Sequence, residues 1–458
     1  MNSISCTTRQ STARAPQLAK ALKKFAAGAS MVLVSASASG SAETSGAVTI
    51  TCGACQESAS DPFLQYNFEA SQRFNDVYVG QYQVEVRQNQ YANSGGAERL
   101  QYYQRLALAD DLPDVFLLNG SEIKALEQTG KLRNLAPDLA SDGTWQASFL
   151  GEVFSALSGN DGQVWAIPQQ RDPIGIFYNE ELLASVGYAE FPTTWLEFED
   201  AAEKLESAGK IAIAMDGGWS TLLMWTNLIG THPEGEEFLA GGIKNGDAYA
   251  SNKAVIAATE TLKRWHTEGY VNADAFSGEF QNAAAAYLGG EAAMVANGPW
   301  MVNTQIKTDA AIEGLYDKTG YAPAPGWQPQ MQGLIVVTGA GWSSGYTGDD
   351  QKAEAIVAFL KFLSSPDEQL EQARETGARP AVAIDAAALQ ASNLEPLGAT
   401  LAGQAETLPF TYPHWRVNAP AGFLDAWKNF WPAYVKGELD TGSFLQALAE
   451  ASLSGQRG

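Results

Sequence analysis

Positive charge is scarce in this chain. Lys and Arg number 29 against 52 Asp and Glu, which leaves a formal net charge of −23 over 458 residues. Nucleic acid and anionic membrane surfaces recruit proteins through Lys/Arg patches, so both are poor partners, and no nucleic acid is expected. Histidine and cysteine are nearly absent, at three residues each. His232, His266 and His414 stand far apart, and no H-E-x-x-H or other zinc spacing is present. A G-x-x-x-x-G-K-[ST] phosphate loop and an EF-hand loop are missing too, so neither a cofactor nor a metal is expected. No repeat, coiled coil or low-complexity stretch follows residue 47. What is there is ordinary for a globular protein: 45% hydrophobic and 18% charged residues, over a length that fits two or three domains with full cores.

The N-terminus reverses the charge balance. Residues 1–42 hold Arg9, Arg14, Lys20, Lys23 and Lys24 and no acid, and continue into "FAAGASMVLVSASASGSA". A positive region, a short apolar region and small residues before a cut describe a signal peptide, with cleavage after Ala38 or Ala42. The apolar part is too short and too broken by Ser and Gly to span a membrane. A Ser/Thr-rich, acid-poor leader also fits an organellar transit peptide, which is the alternative. Removing residues 1–42 takes the net charge from −23 to −28. Cysteine usage agrees with export to the periplasm or the exterior. Cys6 leaves with the leader, and Cys52 and Cys55 remain as C-G-A-C, which reads first as a structural disulfide and second as a redox pair.

Along the chain, "VTIT" (48–51), "YQVEVRQN" (82–89) and "PDVFLL" (113–118) read as strands with helices such as 99–109 between them. That βαβαβ order predicts an α/β lobe with a parallel sheet. The pattern returns with strands at 174–179 and 211–215. Between them lies a helix opened by the Thr194/Glu197 capping box and closed at Gly209. Ile356, Phe359, Leu360 and Leu363 mark an amphipathic helix. The next helix has Ser365 as N-cap, Pro366 in its first turn and Gly377 at its stop. No linker divides the chain, so the lobes share it through short crossovers.

Two constellations bear on function. "GWSSG" (341–345) matches the G-x-S-x-G nucleophile elbow, and Asp349, Asp350 and His414 follow in the order of α/β-hydrolases. The elbow requires a helix directly after its serine, and here "YTGDD" intervenes. The aromatics carry more. Trp219 in "DGGWS", Trp300 in "NGPW", Trp342 in "GAGW" and Trp415 in "YPHW" stand beside Gly, Pro or Asn at expected strand ends. A flat apolar ring beside polar backbone suits a sugar, whose C–H face stacks on indole while its hydroxyls take hydrogen bonds. The plain alternative is that each ring fills a packing gap.

"VWAIPQQRDPIGIFYNEELL" (164–183), "PTTWLEF" (192–198), "LGGEAAMVANGPW" (288–300), "GYAPAPG" (320–326) and "AFLKFLSSPDEQ" (358–369) occur in an order and spacing that resemble bacterial extracellular solute-binding proteins. The resemblance is to the carbohydrate-binding group that includes maltose-binding protein, and it spans about residues 48–435. It implies a two-lobed periplasmic-binding-protein-like fold of type II. Each lobe would be a mostly parallel sheet flanked by helices, closing on ligand about crossover strands near Pro168–Asp172, Gly333–Ile335 and Ala381–Asp385. Lobe one would hold 48–168 and 334–380, and lobe two 172–332 and 385–458. By the same resemblance, the ligand would be met by Asp172, Trp300, Gly341, Trp342, Asn119, Ser121, Arg379, His414 and Trp415, with Trp219 added from the aromatic pattern. Gln56 and Glu57 stand where many members show a Trp or an acid, and a Cys52–Cys55 bridge would shape the cleft rim there. The implied function is a monomeric, non-enzymatic protein that binds a carbohydrate and hands it to an inner-membrane ABC permease. The alternatives are an exported carbohydrate-active hydrolase, and a binding protein for a polyamine or glycerol phosphate.

Overall fold

The computed structural model describes residues 46–92, 97–151, 153–159, 161–405, 407–408, 410–420 and 422–454. The leader expected at 1–42 lies outside them. The strands in chain order are β1 (Val48–Cys52), β2 (Tyr82–Val86), β3 (Phe116–Leu118), β4 (Ala166–Pro168), β5 (Asp172–Asn179), β6 (Ile211–Ala214), β7 (Ala292–Asn297), β8 (Thr319–Ala322), β9 (Gly333–Val337), β10 (Gly341–Ser343) and β11 (Phe410–Pro413). Among the described residues no helix is long and apolar enough to cross a membrane.

The first lobe opens with the expected βαβαβ order. β1 pairs in parallel with β2, and Cys52 makes a parallel bridge to Val115, just before β3. Helices Pro62–Val77 and Ala97–Leu108 form the crossovers. Asp61 caps the first of these, its Oδ1 accepting from the N–H groups of Phe63 and Leu64, and Pro62 needs no N–H partner in the first turn. β10 then lies antiparallel between β3 and β4. Side chains alternate across this sheet with the period of two that a pleated strand imposes. Val115, Leu117, Ile167 and Trp342 enter one core; Phe116, Leu118 and Ala166 enter the other.

The second lobe is built on the sheet order β11-β9-β5-β7-β6, with β8 also on β5. Again one core lies on each face, with Ile174 and Ile176 on one side and Phe177 on the other. The parallel pairing expected of both sheets holds for β1/β2, β6/β7 and β9/β11. β5 and β10 run antiparallel to all their partners, so the sheets are mixed. Both are strands that have just crossed between lobes, and each returns beside the strand that left.

The crossings follow from that register. The chain passes from β4 to β5 over 169–171 and returns from β9 to β10 over 338–340; Pro168 faces Gly341 and Asp172 faces Val337. The resemblance implied a first crossing near Pro168–Asp172 and a second near Gly333–Ile335. The return over 338–340 is later than Gly333–Ile335, because β9 belongs wholly to the second sheet through its pairs with β5 and β11. Residues 334–337 therefore sit in lobe two, not lobe one. A third strand of chain runs over 379–383, held by Arg171 N–H to Arg379 O at 3.0 Å and Leu150 N–H to Ala381 O at 2.9 Å. It leads to helix Pro396–Ala405, whose Leu401 packs in the second lobe.

Cys52 and Cys55 are bonded, in the turn that ends β1, and both residues are fully buried in the first-lobe core. A redox exchange needs an accessible sulfur, so burial supports the structural role. The bridge spans one turn rather than shaping a rim. Closing so short a loop is worth about 2 kcal/mol in chain entropy. The Cys52→Ala/Cys55→Ala variant should unfold at lower urea with that loss. Equal midpoints for the variant and the oxidised protein would show that packing alone holds the turn.

Candidate functional site

A cleft of about 530 Å³ opens between the lobes, within the usual range for small-molecule sites. Its floor is the pair of crossings, represented by Gln169, Gln170, Thr338, Gly339 and Ala340. One wall comes from the first lobe and includes Asp61, Phe63, Arg99, Asn119 and Ser121; the other comes from the second and includes Trp219, Trp300, Gln305, His414 and Arg416. The walls touch at the side, where Lys124 Nζ donates to Val417 O at 2.7 Å.

The second-lobe wall is aromatic. Trp219 and Trp300 are both partly exposed, with ring centroids 6.4 Å apart and planes at 45°. Trp219 is fixed from behind: its Nε1 donates to Asn297 Oδ1 at 3.1 Å, and the His414 ring stacks on it at 5.1 Å. Trp300 is positioned by the turn that follows β7. Its ring folds back over Gly298, where a Cβ would lie 2.2 Å from ring carbons Cη2 and Cζ3. Only glycine permits so close an approach. The helical turn then widens into a π-helical segment, Val302–Ile306, a feature that recurs at functional sites. The Gly298→Ala variant should push the indole off its rotamer at about 0.5–1.5 kcal/mol, and weaken ligand binding about twofold to tenfold by calorimetry. Unaltered affinity would mean that the ring's pose is irrelevant to the site.

His414 is buried, and its Nδ1 accepts from the Arg416 N–H at 3.1 Å. The proton therefore sits on Nε2, which is buried and has no hydrogen-bond partner among the described residues. Burial, and secondarily the Arg416 charge, push its pKa well below the usual histidine value, so the ring is a neutral donor. On the opposite wall Arg99 and Glu122 form a buried two-pronged ion pair at 2.8 and 2.7 Å. Glu122 also completes a capping box with Asn119, whose Oδ1 takes the N–H groups of Ser121 and Glu122. Asn119 thus spends its side-chain oxygen on the helix, and the residue lines the cleft.

Of the residues expected to meet ligand, Asn119, Ser121, Trp219, Trp300 and His414 come together here. The others do not. Trp342 is 1% exposed and packs beside Leu117, Ile167 and Phe359, because its place in β10 turns it to the core. Gly341 points the other way, where a Cβ would meet Leu157 and Ala166 at 2.6 and 2.7 Å. Its smallness serves packing. Trp415 is buried against Phe423. Gln56 accepts from the Asn89 N–H, Glu57 is exposed, and neither lines the cleft. Asp172 lies fully buried at the first crossing, where Oδ1 accepts from the Arg379 N–H at 2.7 Å. Burial raises its pKa to about 7. The Arg379 side chain turns away to Glu395 O at 2.9 Å and borders a separate cavity. These two residues tie the first crossing to segment 379–383, and neither lines the cleft. Ser343 of the G-x-S-x-G motif is a buried strand residue outside the cleft, and the following helix starts only at Asp350. It lacks the exposed elbow a nucleophile requires.

Sequence reasoning missed Phe63, Gln170, Arg99 and Arg416. Arg416 follows the H-W pair that was singled out, and "SDPF" at 60–63 carries an N-cap and a first-turn aromatic. Both signals were visible as helix starts, though not as cleft residues.

The comparisons agree with this architecture. A chitin oligosaccharide binding protein superposes with a TM-score of 0.74 at 18% identity, over 90% of this chain and 100% of its own. The sugar-binding protein MalE from Xanthomonas citri gives 0.70 at 18% identity, over 90% and 98%. The raffinose complex of RafE gives 0.65 at 16% identity, over 88% and 98%. These likenesses establish the two-lobed type II fold. The family model for bacterial extracellular solute-binding proteins matches residues 58–370, well over half of the sequence. The chain belongs to the bacterial extracellular solute-binding protein family.

Proposed function

We propose that this protein captures a saccharide in the interlobe cleft, outside the cytoplasm, and delivers it to an inner-membrane ABC permease. The observation that carries this reading is the pairing of two partly exposed indoles, Trp219 and Trp300, on one wall with amide, hydroxyl and imidazole groups on the walls and floor. Indoles cover the C–H faces of pyranose rings, and fixed polar groups meet their hydroxyls. The structural relatives named for chitin oligosaccharide and raffinose support the same class. The crossings at 169–171 and 338–340 are placed to act as a hinge, and closure favoured by ligand is the signal a permease can read. The work is binding, as the monomer, without catalysis.

Differential scanning fluorimetry against mono- and oligosaccharides tests this, with polyamines and glycerol phosphate alongside. A ligand at a hundred times its Kd stabilises by about 2.7 kcal/mol, so a cognate sugar should raise Tm by several degrees and be recovered intact by mass spectrometry. Stabilisation by a polyamine alone would refute the carbohydrate assignment, and a cleaved sugar would point to a hydrolase.

A further inference from the structure

We infer that the saccharide is acidic, and that Arg416 holds its anionic substituent at the edge of the Trp219 platform. This rests on the carbohydrate reading and narrows it. The Arg416 guanidinium carbon lies 4.7 Å from the centre of the Trp219 ring and 5.2 Å from that of Trp415, within cation–π reach of both. Its edges, which carry the N–H donors, make no hydrogen bond or ion pair to any described residue, yet the side chain lines the cleft. The residue is half-buried, and a guanidinium partly withdrawn from water without a counter-charge is costly.

The nearby acids are already engaged. Glu122 gives both oxygens to Arg99, and Asp216 takes the N–H groups of Gly218 and Ser220. Burial outweighs their attraction and lowers the Arg416 pKa to about 10, which is the mark of an incompletely compensated cation. His414 beside it is neutral and adds no charge. Of the other charged groups in the cleft, Arg99 is neutralised by its partner, Asp61 caps a helix and Asp309 lies exposed at the rim. The planar fork of Arg416 matches a carboxylate two-pronged, and it also accepts a sulfate or phosphate ester.

The test is calorimetry on the purified protein with matched oligosaccharides: neutral, uronate-bearing and sulfated members of each series that gives a thermal shift. The expected result is binding of an acidic member about tenfold or more tighter than its neutral counterpart, with the preference shrinking as salt rises. The uronate and sulfate arms identify the anion. Arg416→Gln should reduce the acidic-to-neutral ratio to about threefold or less, and Arg416→Lys, which keeps charge but loses the fork, should fall between. The wild-type comparison decides the matter even where a variant fails to fold. If the neutral member binds as tightly as the acidic one, this inference is wrong and the carbohydrate reading stands. If no saccharide of any series binds, the carbohydrate reading itself has failed.

Discussion

Trp300→Ala weakens ligand binding by more than tenfold and leaves the fold in place. A sugar face laid on one side of an indole removes on the order of 60–80 Å² of apolar surface from water, a fraction of what a fully buried aromatic covers. At about 25 cal/mol per Å² that is ~1.5–2 kcal/mol, and each 1.4 kcal/mol is a factor of ten. Trp219 amplifies the loss, because the two rings are neighbours and its platform loses an edge. The fold survives because Trp300 sits at the rim of its clusters while the buried cores of the second lobe are untouched. Calorimetry gives the affinity and circular dichroism the Tm. Equal affinity in a folded variant would remove Trp300 from the site.

The second large effect is a pH dependence set by Asp172. Its carboxyl is fully buried, and burial lifts its pKa to about 7, against the stabilising Arg379 N–H and Gln170 contacts. Between roughly pH 4 and 7 the native state holds a proton here that the unfolded state has released. Stability therefore falls as pH rises through this window and levels off above it. From pH 5 to pH 8 this group alone accounts for about 2–3 kcal/mol. Asp172→Asn keeps an oxygen for the Arg379 N–H, and Gln170 can turn its amide to accept from the new NH2. Being neutral throughout, the variant should lose that share of the slope. Urea unfolding of both proteins at pH 5 and pH 8 provides the comparison, and parallel losses in the two would show that Asp172 titrates normally.

Features encoded within a few residues were legible from sequence. The Thr194/Glu197 capping box, the Ser365 N-cap and the left-handed Gly377 all appear as expected, since each depends on chemistry local to one turn. The N-G-P-W turn was legible for the same reason, and its indole does face the cleft. Direction across a sheet was not. Whether Trp342 faces ligand or core depends on which neighbours β10 pairs with, and a shift of one residue reverses it. The resemblance implies that Trp342 meets the ligand, and register puts it in the core. Asp172 and Arg379 lie beside the cleft-lining Gln170 without lining the cleft themselves, because a crossing has both a cleft face and a back face. Nothing in "HWRV" distinguishes a cation set beside rings, without a hydrogen-bond partner among the described residues, from a solvated one; that distinction requires knowing that Glu122 is already taken by Arg99.

The central claim is that a saccharide lies on the indoles between the lobes, and a crystal structure of the complex with the sugar giving the largest thermal shift tests it most directly. The account predicts pyranose rings against Trp219 and Trp300, above the crossings at 169–170 and 338–340, with an anionic substituent at Arg416. A sugar seated elsewhere, such as in the separate cavity of about 560 Å³ bordered by Pro173, Arg379 and Val382, with both indoles uncovered, would contradict it.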